Sequence, residues 1–532
     1  MKRIVWLGVC ALLLAAIPGF AASVSLDDLF AAGPQANPET VGTPRDPGAR
    51  AAEMRDLHQR LAARQVEGGL RHGMEVRLSN AERKSIDQPS DRNGKYLVGV
   101  AKSVGVTVDF TPVQRGAREV NLAAGSAKAL ADGGFVWTTA ISSPGATALR
   151  VHLSGVDLPE GGELYVYNSD GQAFGPYKGR GPLGDGELYT NTVFGERLVL
   201  QLFQPGGAER LPSPLRIAGV GVMGKRFAIP HYGPEGVFDP NNLDALAKAS
   251  NLCSNNANCV VNAACQSSTA VNDAKDAVAT ILFQSGASFY ICTGGLIADT
   301  VTTSVIPYFL TAHHCISSSG EASSVETYFD YQTTCSNPNC TQPYNNTGET
   351  VGSTIKATNS SSDYSLLQLS SAPTTPDGVA TYLGWLSSPV ANTNNYGLFR
   401  ISHPKGSPQA YTEGVVDTGK PTCRTLPRGS FIYSRDTVGA TEGGSSGSPV
   451  VNSAGQIVGQ LYGACGTNLN DVCDAQSNGT VDGAFAATYP NVAAFLNPGS
   501  GGGCGAAGSS CTSNSQCCSN SCKGKPGTQT CK

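Results

Sequence analysis

The spacing of apolar and polar positions divides the chain into stretches of different character. Lys2 and Arg3 precede an apolar run from Ile4 to Ile17 and the small residues Gly19, Ala21 and Ala22, which is the pattern of a secretory signal peptide over 1–22. Residues 51–65 have helical character and mark a helical segment, 23–95. From 96 to 225 the pattern changes to short runs such as Phe135–Ala140, Ala148–Leu153, Glu163–Tyr167 and Arg197–Leu202, with turns such as Pro159-Glu160-Gly161-Gly162 between them. Short, evenly spaced strands predict a β-sandwich. Residues 226–252 are rich in Pro, Gly and Asn and read as a processing region or, alternatively, an uncleaved linker. Further along, Asp363 leads into an apolar strand, Tyr364–Leu369, and 498–503 form a Gly-rich flexible linker.

The length of 532 residues allows two to four domains, on a prior of about 150 residues each. Charged residues make up 15% and the net charge is −4, so composition excludes a nucleic-acid binder and an electrostatic membrane anchor. No apolar run after the first is long enough to span a membrane. Of 17 cysteines, Cys10 falls in the signal peptide, ten lie between Cys253 and Cys473, and six between Cys504 and Cys531. An exported chain favours disulfides over metal thiolates, and no Cys-x-x-Cys unit has histidine partners, so neither a metal nor a cofactor is expected.

Three motifs carry chemistry, in the order His, Asp, Ser. Leu310-Thr311-Ala312-His313-His314-Cys315 offers a general base immediately before a cysteine, Asp363 a carboxylate to orient it, and Gly444-Ser445-Ser446-Gly447-Ser448-Pro449 a nucleophile in a glycine-flanked loop. A serine hydroxyl is a poor nucleophile until a base takes its proton, so His314 is assigned as base, Asp363 as its orienting partner and Ser446 as nucleophile. The N–H groups of Gly444 and Ser446 are the expected oxyanion donors. His313 and Ser445 are the weaker rivals. His403 is expected to pack or hydrogen-bond, Asp299 and Asp436 to be solvated turn residues, and His58, His72 and His152 to be ordinary surface or core residues.

With these motifs in place, and with Cys253-x5-Cys259, Gly384-Trp385, His403-Pro404 and Gly459-Gln460-Leu461 beside them, the segment 253–497 resembles bacterial lysyl endopeptidases among the chymotrypsin-like secreted proteases. The resemblance implies a double β-barrel with the triad in the cleft between barrels. It also implies the pairs Cys292–Cys315, Cys259–Cys335 and Cys253–Cys465, leaving Cys265, Cys340, Cys423 and Cys473 unassigned. Trypsin-like enzymes carry an aspartate six residues before the nucleophile, where this chain has Ala440; the family instead suggests Glu442, Asp482 and Gly463 as substrate-binding residues. Asp482 facing a lysine ammonium is one reading, and an apolar pocket with Asp482 toward solvent is the other. Ser445 occupies the slot in which trypsin-like zymogens carry an aspartate, so activation is expected through removal of the pro-region, with Lys248 a candidate cleavage point.

Residues 504–532 resemble inhibitor cystine-knot peptides, a likeness that implies Cys504–Cys518, Cys511–Cys522 and Cys517–Cys531. The module reads as a targeting or substrate-binding tail or as a stability cap. The fold expected is therefore all-β: a β-sandwich-like pro-region, a chymotrypsin-like double-barrel catalytic domain and a small knottin-like module. The function expected is a secreted, monomeric serine endopeptidase acting on polypeptides after basic residues, with its own pro-region as inhibitor or chaperone. The alternatives are a non-basic pocket, or an inactive binding or adhesion protein on a protease scaffold.

Overall fold

A computed structural model describes residues 33–87, 91–92, 94–114, 118–208, 212–225, 227, 252–253, 255–301, 305–336, 338, 340, 348–373, 375–498, 522–525 and 529–531. The signal peptide, Lys248 and most of the C-terminal cysteines lie outside the described residues, so the three knottin pairings do too. Within that module only the hairpin Cys522–Lys523 with Thr530–Cys531 is described.

The segment expected as pro-region is a two-sheet sandwich. One sheet runs Ala173–Tyr177, Glu163–Tyr167, Arg197–Gln204, Phe135–Ser142, Ser126–Ala129, Glu119–Asn121, and the other contains Leu188–Tyr189, Ala148–Ser154, Leu215–Met223 and Lys95–Val108. Their facing sides bury Trp137, Leu149, Leu153, Leu164, Val166, Leu200 and Ile217. At roughly 25 cal/mol per Å2 of apolar surface, burial of this kind is the main stabilising term. The helix Pro47–Arg64 starts where Asp46 caps it by accepting from Gly48 N and where Pro47 fits the first turn.

The catalytic segment forms two barrels. The first is built from Val278–Ser285, Ser288–Leu296, Tyr308–Ala312, Tyr364–Leu369, Ser353–Asn359 with Gly348–Val351, and Glu326–Phe329, which returns to Val278–Ser285. The second closes through Gln456–Gly466, Pro449–Val451, Gly397–Ser402, Ala410–Val416, Phe431–Val438 and Asn478–Ala484, the last pairing with the first. Phe283, Phe309, Leu367 and Phe329 fill the first barrel, and Ile432, Val450 and Val458 belong to the core of the second.

Pro-region and catalytic segment share a sheet. Lys95–Val108 pairs antiparallel with Ser288–Leu296, Val100 opposite Ser288 and Tyr96 opposite Ile291. The short strands Gln35–Ala36 and Glu39–Gly42 add to Gly384–Leu386 and Val379–Tyr382. Polar groups fasten the same contact: Glu326, fully buried, accepts from Asn191 Nδ2 (3.1 Å) and Thr192 Oγ1 (2.6 Å) and lies 3.6 Å from Arg150.

Among the described residues there are five disulfides: Cys253–Cys340, Cys259–Cys473, Cys265–Cys335, Cys292–Cys315 and Cys423–Cys465. Cys292–Cys315 is as the resemblance implied; Cys259–Cys335 and Cys253–Cys465 are not. Cys335 is taken by Cys265 at a Cα separation of 4.8 Å, and Cys465 on its strand is taken by Cys423 at 6.1 Å. Among the described residues no helix is long and apolar enough to cross a membrane.

Candidate active site

Strand register brings two of the expected residues together. Ala312 pairs with Tyr364, so the residues that follow the first strand and precede the second lie side by side. His314 and Asp363 occupy those places. Asp363 is 3% exposed and has φ 53, a left-handed conformation tolerated by Asp more readily than by bulkier residues. Its Oδ1 accepts from His314 N at 2.9 Å and its Oδ2 meets His314 Nδ1 at 2.7 Å. His313 points elsewhere, with Nδ1 2.8 Å from Thr358 Oγ1. From the second barrel, Gln460 Nε2 donates to the carbonyls of Ser362 (2.6 Å) and Asp363 (3.2 Å), and the Tyr462 ring packs edge-on against His314 at 5.6 Å.

The Ser446 loop is folded by its glycines. Gly444 and Gly447 have φ 97 and 84, and a Cβ on Gly447 would lie 2.3 Å from Thr311 Oγ1, a space only glycine fits. Gly443 O accepts from Lys405 N (2.6 Å) and Ser445 O from Ser448 N (3.0 Å). In trans peptides C=O and N–H point oppositely, so these bonds turn the N–H groups of Gly444 and Ser446 to the other side of the loop.

Between His314 and Ser446 sits a residue of the segment expected as pro-region, Gly94. Asp91–Arg92 and the start of Lys95–Val108 form a tight hairpin, Arg92 opposite Lys95, with Gly94 in its turn at φ 78. Ser446 Oγ donates to Gly94 O at 2.9 Å. A Cβ on Gly94 would lie 2.8 Å from His314 Nε2. Among the described residues His314 Nε2 has no hydrogen-bond partner. The Asn93-Gly94 dipeptide is a hairpin signal in the sequence; its destination depends on the sheet shared with Ser288–Leu296.

The expected substrate-binding residues are not grouped as predicted. Gly463, φ 158, has open space where a Cβ would be. Glu442 is a tie: it pairs with Lys405 at 2.6 Å and accepts from Asn256 Nδ2 at 2.9 Å. Asp482 departs from the expectation of a carboxylate facing substrate or solvent. It is completely buried and gripped by Arg400, Nε at 3.0 Å from Oδ1 and Nη2 on Oδ2, because alternation along Asn478–Ala484 turns it toward Gly397–Ser402. Asp436 is not a solvated turn residue either; it lies in the strand Phe431–Val438 with its side chain 10% exposed. Burial pushes its carboxyl above the ordinary value, against the opposing pull of Arg400 and Thr480. His403 is buried, its Nδ1 3.0 Å from Ser407 O, and desolvation lowers its pKa to about 4.

Two β-barrels, a serine loop between them and a histidine held by a buried carboxylate define the class: this is a serine endopeptidase. Residues 248–479 match the family described as lysyl endopeptidase, C-terminal domain. A lysyl endopeptidase of Pseudomonas aeruginosa is 29% identical over 375 residues, 67% of this chain and 74% of that protein. The chain is thus a serine endopeptidase that is similar, over the segment matched, to lysyl endopeptidases. Among solved structures, an M. tuberculosis protease in its active form is 17% identical, with a TM-score of 0.28 over 43% of this chain and 84% of its own. An HtrA-type protease with a tripeptide is 16% identical, with a TM-score of 0.31 over 46% and 68%.

Proposed function

We propose that the chain is the precursor of a secreted endopeptidase in which Ser446 is the nucleophile, His314 the general base and Asp363 its orienting partner. The observation that carries this reading is the 2.7 Å contact between Asp363 Oδ2 and His314 Nδ1, which leaves Nε2 as the nitrogen available to a serine hydroxyl. Ser446 Oγ attacks the scissile carbonyl as its proton passes to Nε2. The N–H groups of Gly444 and Ser446 hold the oxyanion. Collapse transfers that proton to the leaving amine and leaves an acyl-enzyme; water, deprotonated by the same nitrogen, then releases the acid. Cleavage follows basic residues, lysine above all, in keeping with the matched family's name.

The pro-region acts as an intramolecular inhibitor. Gly94 occupies the space between nucleophile and base, so Ser446 donates to a pro-region carbonyl and a substrate carbonyl has no access. Five disulfides fit export to an oxidising compartment. The test is digestion of a denatured proteome by matured protein beside Ser446→Ala, with every cleaved bond mapped. Cleavage after lysine that vanishes in the variant is expected. Cleavage after apolar residues contradicts the basic pocket, and no cleavage contradicts the assignment of Ser446.

A further inference from the structure

Beside the serine loop lies a narrow cavity of about 40 Å3, lined by Asp436, Thr441, Ala464, Leu469, Val472 and Thr480. Two of its walls extend directly from the candidate active site. Thr441 runs into the Ser446 loop. Ala464 follows Leu461, whose N and O bond Ser448 O and Gly447 N at 2.8 Å, and Tyr462, whose ring touches His314.

Asp436, on the wall of this cavity, belongs to a cluster of three charges. Arg400, completely buried, spends Nε and Nη2 on Asp482 and reaches Asp436 Oδ1 only at 3.5 Å with Nη1. With both carboxylates ionised, one guanidinium leaves one negative charge uncompensated, and the carboxylate that Arg400 holds less closely is the one that lines the cavity. Lys420 is the other cation whose field reaches Asp436, but its ammonium is held by the carbonyls of Ala475, Gln476 and Asn478 at 2.7–2.8 Å.

We propose that Asp436 receives the basic side chain of the substrate, and that Arg400 neutralises Asp482 so that a single negative charge faces the cavity. This rests on the basic-pocket reading above and names the residue that carries it. Asp436 Oδ2 already accepts from Thr480 Oγ1 at 2.7 Å, whereas Oδ1 meets Arg400 Nη1 only at 3.5 Å and is the less committed oxygen. A single weakly engaged oxygen suits an ammonium, a point charge, better than a guanidinium, whose fork needs two acceptors. The preference is therefore lysine over arginine. The raised affinity of Asp436 for a proton agrees, since an incoming cation relieves the same desolvation.

The test uses matured, active-site-titrated enzyme and peptides that differ only in carrying lysine, arginine or norleucine before the scissile bond. In Asp436→Asn the lysine-to-norleucine ratio of kcat/KM falls about 10- to 100-fold, the worth of a charge-assisted hydrogen bond, while norleucine cleavage persists. Asp482→Asn lowers stability but keeps the ratio. An unchanged ratio in Asp436→Asn, or an equal fall in Asp482→Asn, overturns the proposal. Should Asp436→Asn fail to fold, Thr480→Val reads the same ratio: a fall supports the proposal and no change overturns it. Wild-type enzyme that does not prefer lysine to norleucine refutes the basic-pocket reading itself, a result distinct from failure of Asp436.

Discussion

The hydroxyl of Ser446 donates a hydrogen bond to the carbonyl of Gly94, 352 residues earlier in the chain. One glycine of the proposed pro-region thereby engages the proposed nucleophile while its backbone stands against the candidate base. A side chain at this position meets both a positive φ and His314 Nε2. Gly94→Val is therefore expected to raise hydrolysis of a lysyl ester by uncleaved precursor at least about tenfold, the equivalent of 1–2 kcal/mol of strain in the inhibited state. Equal activity of the two precursors contradicts the inhibitory role.

The strand Lys95–Val108 covers one edge of the first barrel. Its removal leaves backbone groups of Ser288–Ile291 without their sheet partners. Amide hydrogen exchange across Ser288–Ile291 is expected to accelerate on maturation while Phe309–Leu310, paired on both sides within the barrel, stays protected.

Glu321 gives the precursor an acid-sensitive contact. Burial raises its pKa, but hydrogen bonds from Ser285, from Lys95 of the pro-region and from Ser317 outweigh it and bring the value from 4.5 to about 2. A carboxyl with a lowered folded value contributes stability that is complete above its unfolded value and disappears as pH falls toward the folded one. The melting temperature of Ser446→Ala precursor is expected to fall between pH 4.5 and about 2. Adding Glu321→Gln makes that slope shallower and lowers stability at neutral pH.

The disulfide Cys259–Cys473 closes a separation of 214 residues and ties the loop bearing Leu469 and Val472 to the start of the catalytic segment. Replacing both cysteines by serine is expected to cost about 3–5 kcal/mol by loop-closure entropy, read by denaturant unfolding. It also loosens the cavity wall, so KM for lysyl substrates rises more than kcat falls.

How much of this was legible in sequence depends on whether chemistry or packing chose the residue. The pairing of His314 with Asp363 beside the Ser446 loop was legible because proton transfer demands particular side chains and because each sits beside a distinctive neighbour: Cys315, an apolar strand, a glycine. The sandwich strands were readable for the same local reason; Glu163–Tyr167 has the bounds its pattern implied. Cysteine partners were not, since chain closure constrains how a pair can meet and not which pair forms, as Cys265–Cys335 in place of Cys259–Cys335 illustrates. The burial of Asp482 was not readable either, because strand register decides which carboxylate Arg400 grips, and register is a property of the closed barrel. Gly94 carries no local sign of its contact with Ser446.

The central claim, that Ser446 is the nucleophile activated by His314 and Asp363, is tested most directly by labelling matured protein with diisopropyl fluorophosphate and locating the adduct by mass spectrometry. The account predicts one adduct, on Ser446, with labelling slowed by orders of magnitude in His314→Ala and in Asp363→Asn. An adduct on another serine, or labelling of Ser446 at the same rate without His314, would contradict it.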